Sequence, residues 1–251
     1  MALAPGRLDD GVVTPPERPY TPAWWRARAL ARVHRGIAWA LPALARRSLA
    51  RDLAGTWGAW ESPPPPAGAV VVVNHHSWWD GYLAWLLARR EGRPFAVLVD
   101  EDTLRRYPFF RHCGAIGVGS LRLAVRRAAA GAWVFVFPEG RLGPERTLAA
   151  FAPGAATIAR LARVPVLPVA WRVRLRGGQY PEAYLRGGSV LPDGSGADTQ
   201  RMAVASLLQR LDGDLREASD AEAPLPGYEL WLAGRRSTHE RASTWRRWWA
   251  G

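Results

Sequence analysis

Val70-Val71-Val72-Val73-Asn74-His75-His76-Ser77-Trp78-Trp79-Asp80 is the stretch whose reading decides the fold. Four consecutive valines show no polar alternation, so both faces of the strand they form are covered. A polar turn follows at once, and helical spacing then runs from about Trp78 to Arg90. A doubly covered strand that feeds a helix is the unit of an α/β sheet. The same alternation recurs downstream. Phe95–Val99, Ile116–Val118, Trp133–Phe137 and Val166–Val173 read as short apolar strands. Between them lie a helical turn at Asp102–Tyr107 and helices at Leu121–Ala130 and Ala155–Arg163. The predicted class is therefore α/β, a mostly parallel sheet flanked by helices. After Arg176 the signal weakens, apart from a helix at about Asp198–Glu217.

Upstream of the valine strand the pattern differs. Residues 1–20 carry Pro5, Pro15, Pro16 and Pro19 without periodicity and read as an extended arm. Thr21-Pro22 supplies a helix start, and Leu30, Val33, Ile37, Leu41 and Leu44 follow at helical spacing. Arg28, Arg32 and Arg35 fall opposite, and Pro42 bends the helix, so an N-terminal amphipathic helical pair is expected to about Leu53. Ser62–Pro66, with four prolines in a row, reads as a stiff linker. The expected division is thus an arm at 1–20, the helical pair and linker at 21–62, and the α/β domain at 63–251. That domain ends in a basic tail with Trp245, Trp248 and Trp249.

Length and composition bound the function. A chain of 251 residues, 48% hydrophobic, is long enough for a sizeable core and too apolar to be disordered. Its longest apolar runs, such as Gly36–Ala45, are about half the roughly 20 residues of a spanning helix. One cysteine, Cys113, excludes an internal disulfide, and without spaced histidines no metal site is expected. All 34 basic residues are arginine, against 22 acidic ones, for a net charge of +12. Arginine mixed with 14 tryptophans suits a phospholipid or nucleic-acid surface, and charge alone does not separate the two.

The chemistry lies in the polar turn. His75 and Asp80 span a strand-to-helix turn at the carboxyl end of a strand, where α/β sheets build their sites. At that spacing the carboxylate can take the Nδ1 proton of the imidazole. The other nitrogen is then free to accept a proton from a hydroxyl. A competing reading is a capping box, with Ser77 as N-cap and Asp80 at the third helical position. Phe137-Pro138-Glu139-Gly140-Arg141 ends a second strand, and its glutamate, glycine and arginine can bind an alcohol or phosphate. Val164-Pro165-Val166-Leu167-Pro168-Val169 sits on a later strand.

These blocks, in this order, resemble the glycerolipid acyltransferase family of the lysophosphatidic acid type, over roughly residues 70 to 171. The resemblance rests on an N-H-x-x-x-x-D block, an F-P-E-G block and a V-P-V-x-P-V block. It implies His75 as general base, Asp80 as its orienting partner, and Glu139, Gly140 and Arg141 along the acceptor site. It implies an acyl thioester donor, acyl-coenzyme A or acyl carrier protein, as co-substrate and no other cofactor. Two departures bear on the acceptor. Arg141 follows Gly140 directly, where the family usually places threonine or serine first. Gly114–Ser120 ends in glycine and serine where the family's middle block ends in a phosphate-holding arginine, with Arg122 two residues on as a substitute.

The expected function is an O-acyltransferase acting on a lipid hydroxyl, peripheral on the cytoplasmic membrane face and held by anionic lipid. Nucleic acid is not expected as a partner, because the arginines cluster at the two ends while the motifs lie between. Two rivals remain: a hydrolase in which the same histidine activates water, and a non-catalytic binding module.

Overall fold

The computed structural model describes Gly36, Ala40 and residues 43–144, 147–218 and 224–242. Most of the predicted amphipathic pair and the tryptophan-rich tail lie outside these residues. Residues 43–52 are helical (α1). The strands are β1 (Gly55–Trp60), β2 (Ala69–Val73), β3 (Phe95–Val99), β4 (Ala115–Gly117), β5 (Trp133–Val136), β6 (Val166–Arg174), β7 (Glu182–Gly187) and β8 (Glu229–Ala233). The helices are α2 (Asp80–Arg90), α3 (Glu101–Arg106), α4 (Leu121–Ala129), α5 (Gly154–Ala162) and α6 (Ala197–Glu217).

Among the described residues the strands form one sheet in the order β4-β3-β5-β2-β6-β7-β1-β8. The first five are mutually parallel; β6 meets β7 antiparallel, β7 meets β1 parallel, and β8 closes the edge antiparallel. This is the mixed, mostly parallel α/β sheet that the sequence implied. The valine strand β2 lies at its centre, and all four valines are fully buried. Val71 and Val73 join the core under α2, while Val70 and Val72 join the core under α4, α5 and α6. Each face of the strand therefore has its own layer, which is why the sequence shows no alternation.

Two expectations change. The sheet begins before residue 63, because β1 precedes the proline run and pairs with β7 and β8. Ser62–Pro66 is thus a connection between two strands of one sheet. Gly55 and Gly58 argue against a strand by propensity. Yet a Cβ on Gly58 would collide with the Trp231 ring, and one on Gly187 of β7 with the Trp60 ring. The glycines are there so that tryptophans can lie across the backbone. The second change concerns α1. Ala45, Leu49 and Leu53 are buried, the two leucines fully, in the layer under α2. Its inner face packs on the sheet, and Leu44, Arg46, Arg47 and Arg51 stand exposed.

Candidate active site

β5, β2 and β6 are neighbours with Val136 opposite Val72 and Val169 opposite Val73, so their carboxyl ends lie side by side. Three blocks far apart in sequence meet there for this reason alone. Asn74 extends the β2–β6 pairing by one residue with its side chain. Its Oδ1 accepts the Trp171 N–H at 3.0 Å, and its Nδ2 donates to the Trp171 carbonyl at 3.1 Å. The same amide group lies 2.7 Å from His76 Nδ1.

Asp80 is the first residue of α2 and has no exposed surface. Its Oδ2 accepts from His75 Nδ1 at 2.7 Å and from the backbone N–H groups of His76 at 2.9 Å and Ser77 at 3.1 Å. Its Oδ1 accepts from the Trp171 indole N–H at 2.9 Å. The capping reading and the catalytic reading are therefore not alternatives. The cap residue is Trp79 rather than Ser77, whose Oγ accepts the Trp79 N–H at 3.0 Å. Asp80 holds the turn and the imidazole with one oxygen.

A carboxylate can only accept, so the proton on this contact belongs to His75 Nδ1, and Nε2 is the basic nitrogen. The ring stacks on Phe137 with centroids 4.5 Å apart and keeps 26% of its side-chain surface open. The rest of the F-P-E-G block holds the backbone beneath it. Glu139 accepts the His75 N–H at 2.7 Å with one oxygen and the Ala149 N–H at 3.0 Å with the other. Gly143 N–H donates to the His75 carbonyl at 2.8 Å. Gly140 has φ of 69° with open space around its Cβ position, so its turn requires glycine for conformation and not for clearance. Glu139 thus touches the site from behind, with both oxygens taken by backbone. Glu139→Gln turns an NH2 group on one of those N–H donors. A tenfold or greater loss of turnover is expected, with acceptor KM little changed; an unchanged kcat would remove Glu139 from the support of His75.

His75, His76 and Asn74 open on a cavity of about 410 Å³ whose far wall is α6 and β6, through Gln209, Asp212, Arg216 and Arg172. Arg172 is 4% exposed and grips Asp212 with two parallel bonds of 2.8 Å. Burial, the largest single effect, works against the Asp212 carboxylate, and the Arg172 fork opposes it. Together with Arg174 and Arg216 it holds the acid below the usual range. A depressed carboxyl stabilises the fold above its unfolded pKa, and that contribution disappears as pH falls through the folded value. The melting-temperature gap between wild type and Asp212→Asn is therefore expected to be widest near neutrality and to close below about pH 4. A gap independent of pH would contradict this.

Of the residues singled out from the sequence, His75, Asp80, Glu139 and Gly140 come together. Arg141 is exposed on the turn and Arg122 lies on α4; neither lines this cavity. Sequence reasoning missed Trp171, which follows the V-P-V-x-P-V block by two residues, and the pair Arg172–Asp212. Asp212 lies within the predicted helix at about Asp198–Glu217, where nothing in the local sequence marks it. Among the described residues no group of three or more His, Cys, Asp or Glu is arranged to hold a metal ion.

Residues 61–172, which run from the end of β1 almost to the end of β6, match the family model Acyltransferase. This segment is an acyltransferase-family domain. The match bears out the resemblance drawn from the sequence blocks. The chain also has a likeness among solved structures. The crystal structure of the 1-acyl-sn-glycerophosphate (LPA) acyltransferase PlsC from Thermotoga maritima superposes with a TM-score of 0.52 at 21% identity. The superposition covers 78% of this chain and 84% of that one, and shows a shared fold. A search of curated proteins finds no match.

Proposed function

We propose that the protein moves an acyl group from a thioester, acyl-coenzyme A or acyl carrier protein, to the hydroxyl of a lipid acceptor. The observation that carries this reading is His75 at the cavity, its Nδ1 held by a buried carboxylate and its ring face backed by Phe137. His75 Nε2 accepts the hydroxyl proton as the acceptor oxygen attacks the thioester carbonyl. Asp80 stabilises the imidazolium so formed. The C–S bond then breaks, and His75 returns the proton to the departing sulfur. No protein nucleophile is required, because the substrate brings its own. A lipid acceptor keeps the reaction at a membrane, and we place it at the cytoplasmic face, where thioester donors are found. Among the described residues no helix is long and apolar enough to cross a membrane.

The test is a mass-spectrometric screen of labelled acyl-coenzyme A and acyl carrier protein against lipid alcohols with and without a phosphate. Acylated lipid that forms only when acceptor is present supports the reading. Free fatty acid released equally without acceptor would make the protein a hydrolase.

A further inference from the structure

Charge is unevenly spread over the helices. α6 carries Asp198, Asp212, Asp214 and Glu217 against Arg201, Arg210 and Arg216, and α3 has two acids and two arginines. α4 and α5 contain no acidic residue at all. Their inner faces are small or aliphatic: Ala124, Ala128, Ala155, Ile158 and Ala159 are all buried in the core. Arg122, Arg126, Arg127, Arg160 and the C-cap Arg163 are all exposed. None of these five makes an ion pair with a described residue.

Between the two helices runs a groove of about 600 Å³ lined by Leu121, Arg122, Val125, Arg126 and Leu161. Leu161 keeps 57% of its surface in solvent. Apolar side chains ringed by uncompensated arginines match a phospholipid leaflet on two counts. Headgroup phosphates meet the guanidinium groups, and the hydrocarbon boundary receives the leucines. A polynucleotide offers phosphate but nothing to fill an apolar groove. The position on the fold agrees. α4, α5 and α6 cover the same side of the sheet, and the cavity at His75 is walled by α6 and by Thr147 and Leu148 just ahead of α5.

The geometry points to the α4–α5 face as the surface that docks on anionic lipid. The inference gains its purpose from the lipid-acyltransferase reading, but binding is measurable without turnover. The experiment is co-sedimentation of the full chain with vesicles of phosphatidylglycerol and phosphatidylcholine, and of phosphatidylcholine alone. R126Q/R127Q/R160Q is compared with R105Q/R106Q/R111Q, which removes the same charge from α3 and the turn after it. The α4–α5 variant is expected to bind the anionic vesicles about 100-fold more weakly. The control set should bind like wild type, and both should keep the wild-type melting temperature. L161S should weaken binding severalfold further at high salt, where the apolar contact dominates.

Equal weakening by both sets, or by neither, overturns the assignment. So does duplex DNA that binds as tightly as the vesicles and is lost in the same variant. Vesicle binding lost as expected by a protein that transfers no acyl group would leave the docking face standing and remove the catalytic reading instead.

Discussion

Alanine in place of His75 is expected to lower acyl transfer by about 10²–10⁴-fold, the contribution of a positioned proton acceptor, while the melting temperature stays within a few degrees of wild type. The side chain is partly open and rests on Phe137, so its removal leaves no sealed void. Its backbone N–H and carbonyl keep their bonds to Glu139 and Gly143. His76→Ala is the companion measurement. That ring lies against Asn74, outside the His75–Asp80 pair, and its loss is expected to cost far less. Near-native turnover in both variants would show that neither imidazole moves the proton.

Asp80→Asn is expected to reduce turnover by about 10³–10⁴-fold, since an amide cannot stabilise the imidazolium. Unlike His75→Ala, it should also destabilise the protein. Oδ1 and Oδ2 together accept four N–H groups, and asparagine supplies one acceptor atom and turns an NH2 group on the remaining donors. One opposed buried donor costs about 1–3 kcal/mol. A helix-capping role alone would show the stability loss without the kinetic one. Trp171→Phe separates the two effects. It removes a single donor from Oδ1 and leaves the turn intact, so kcat should fall by about tenfold with KM unchanged. Wild-type kcat in Trp171→Phe would make the indole contact purely structural.

How much of this was legible beforehand follows from the kind of signal each element leaves. The parallel half of the sheet was readable because β2, β5 and β6 are apolar on both faces. The observed bounds differ from the expected ones by one or two residues, as for Asp80–Arg90 against Trp78–Arg90. β7 was missed because its inward charges are cancelled in space and not in sequence. Arg186 reaches Glu61 and Asp214, while Glu182 meets Arg176. β1 was missed because its glycines make sense only once the Trp57 ring lies over Gly55 and the Trp231 ring over Gly58. In the site, the His75–Asp80 pair was legible as a spacing. Trp171 and Asp212 were not, because each matters through a partner 91 or 40 positions away.

The place of β1 in the sheet has a consequence for the chain as it is being made. β2 to β6 lie within residues 69–174, and each pairs with strands of that same span. β1 emerges earlier than any of them, yet it pairs with β7 and β8, which follow all of them in the chain. A chain delivered as far as residue 174 therefore holds β2 to β6 with their partners and leaves Gly55–Trp60 without the two strands that pair with it, its backbone unsatisfied and Trp57 without the Tyr184 ring on which it stacks. That is a template for pairing with neighbouring chains, and it persists for as long as the remaining residues take to arrive. Arrival of Glu182–Gly187 and Glu229–Ala233 ends this exposure, a task for residues far from His75 that has nothing to do with catalysis.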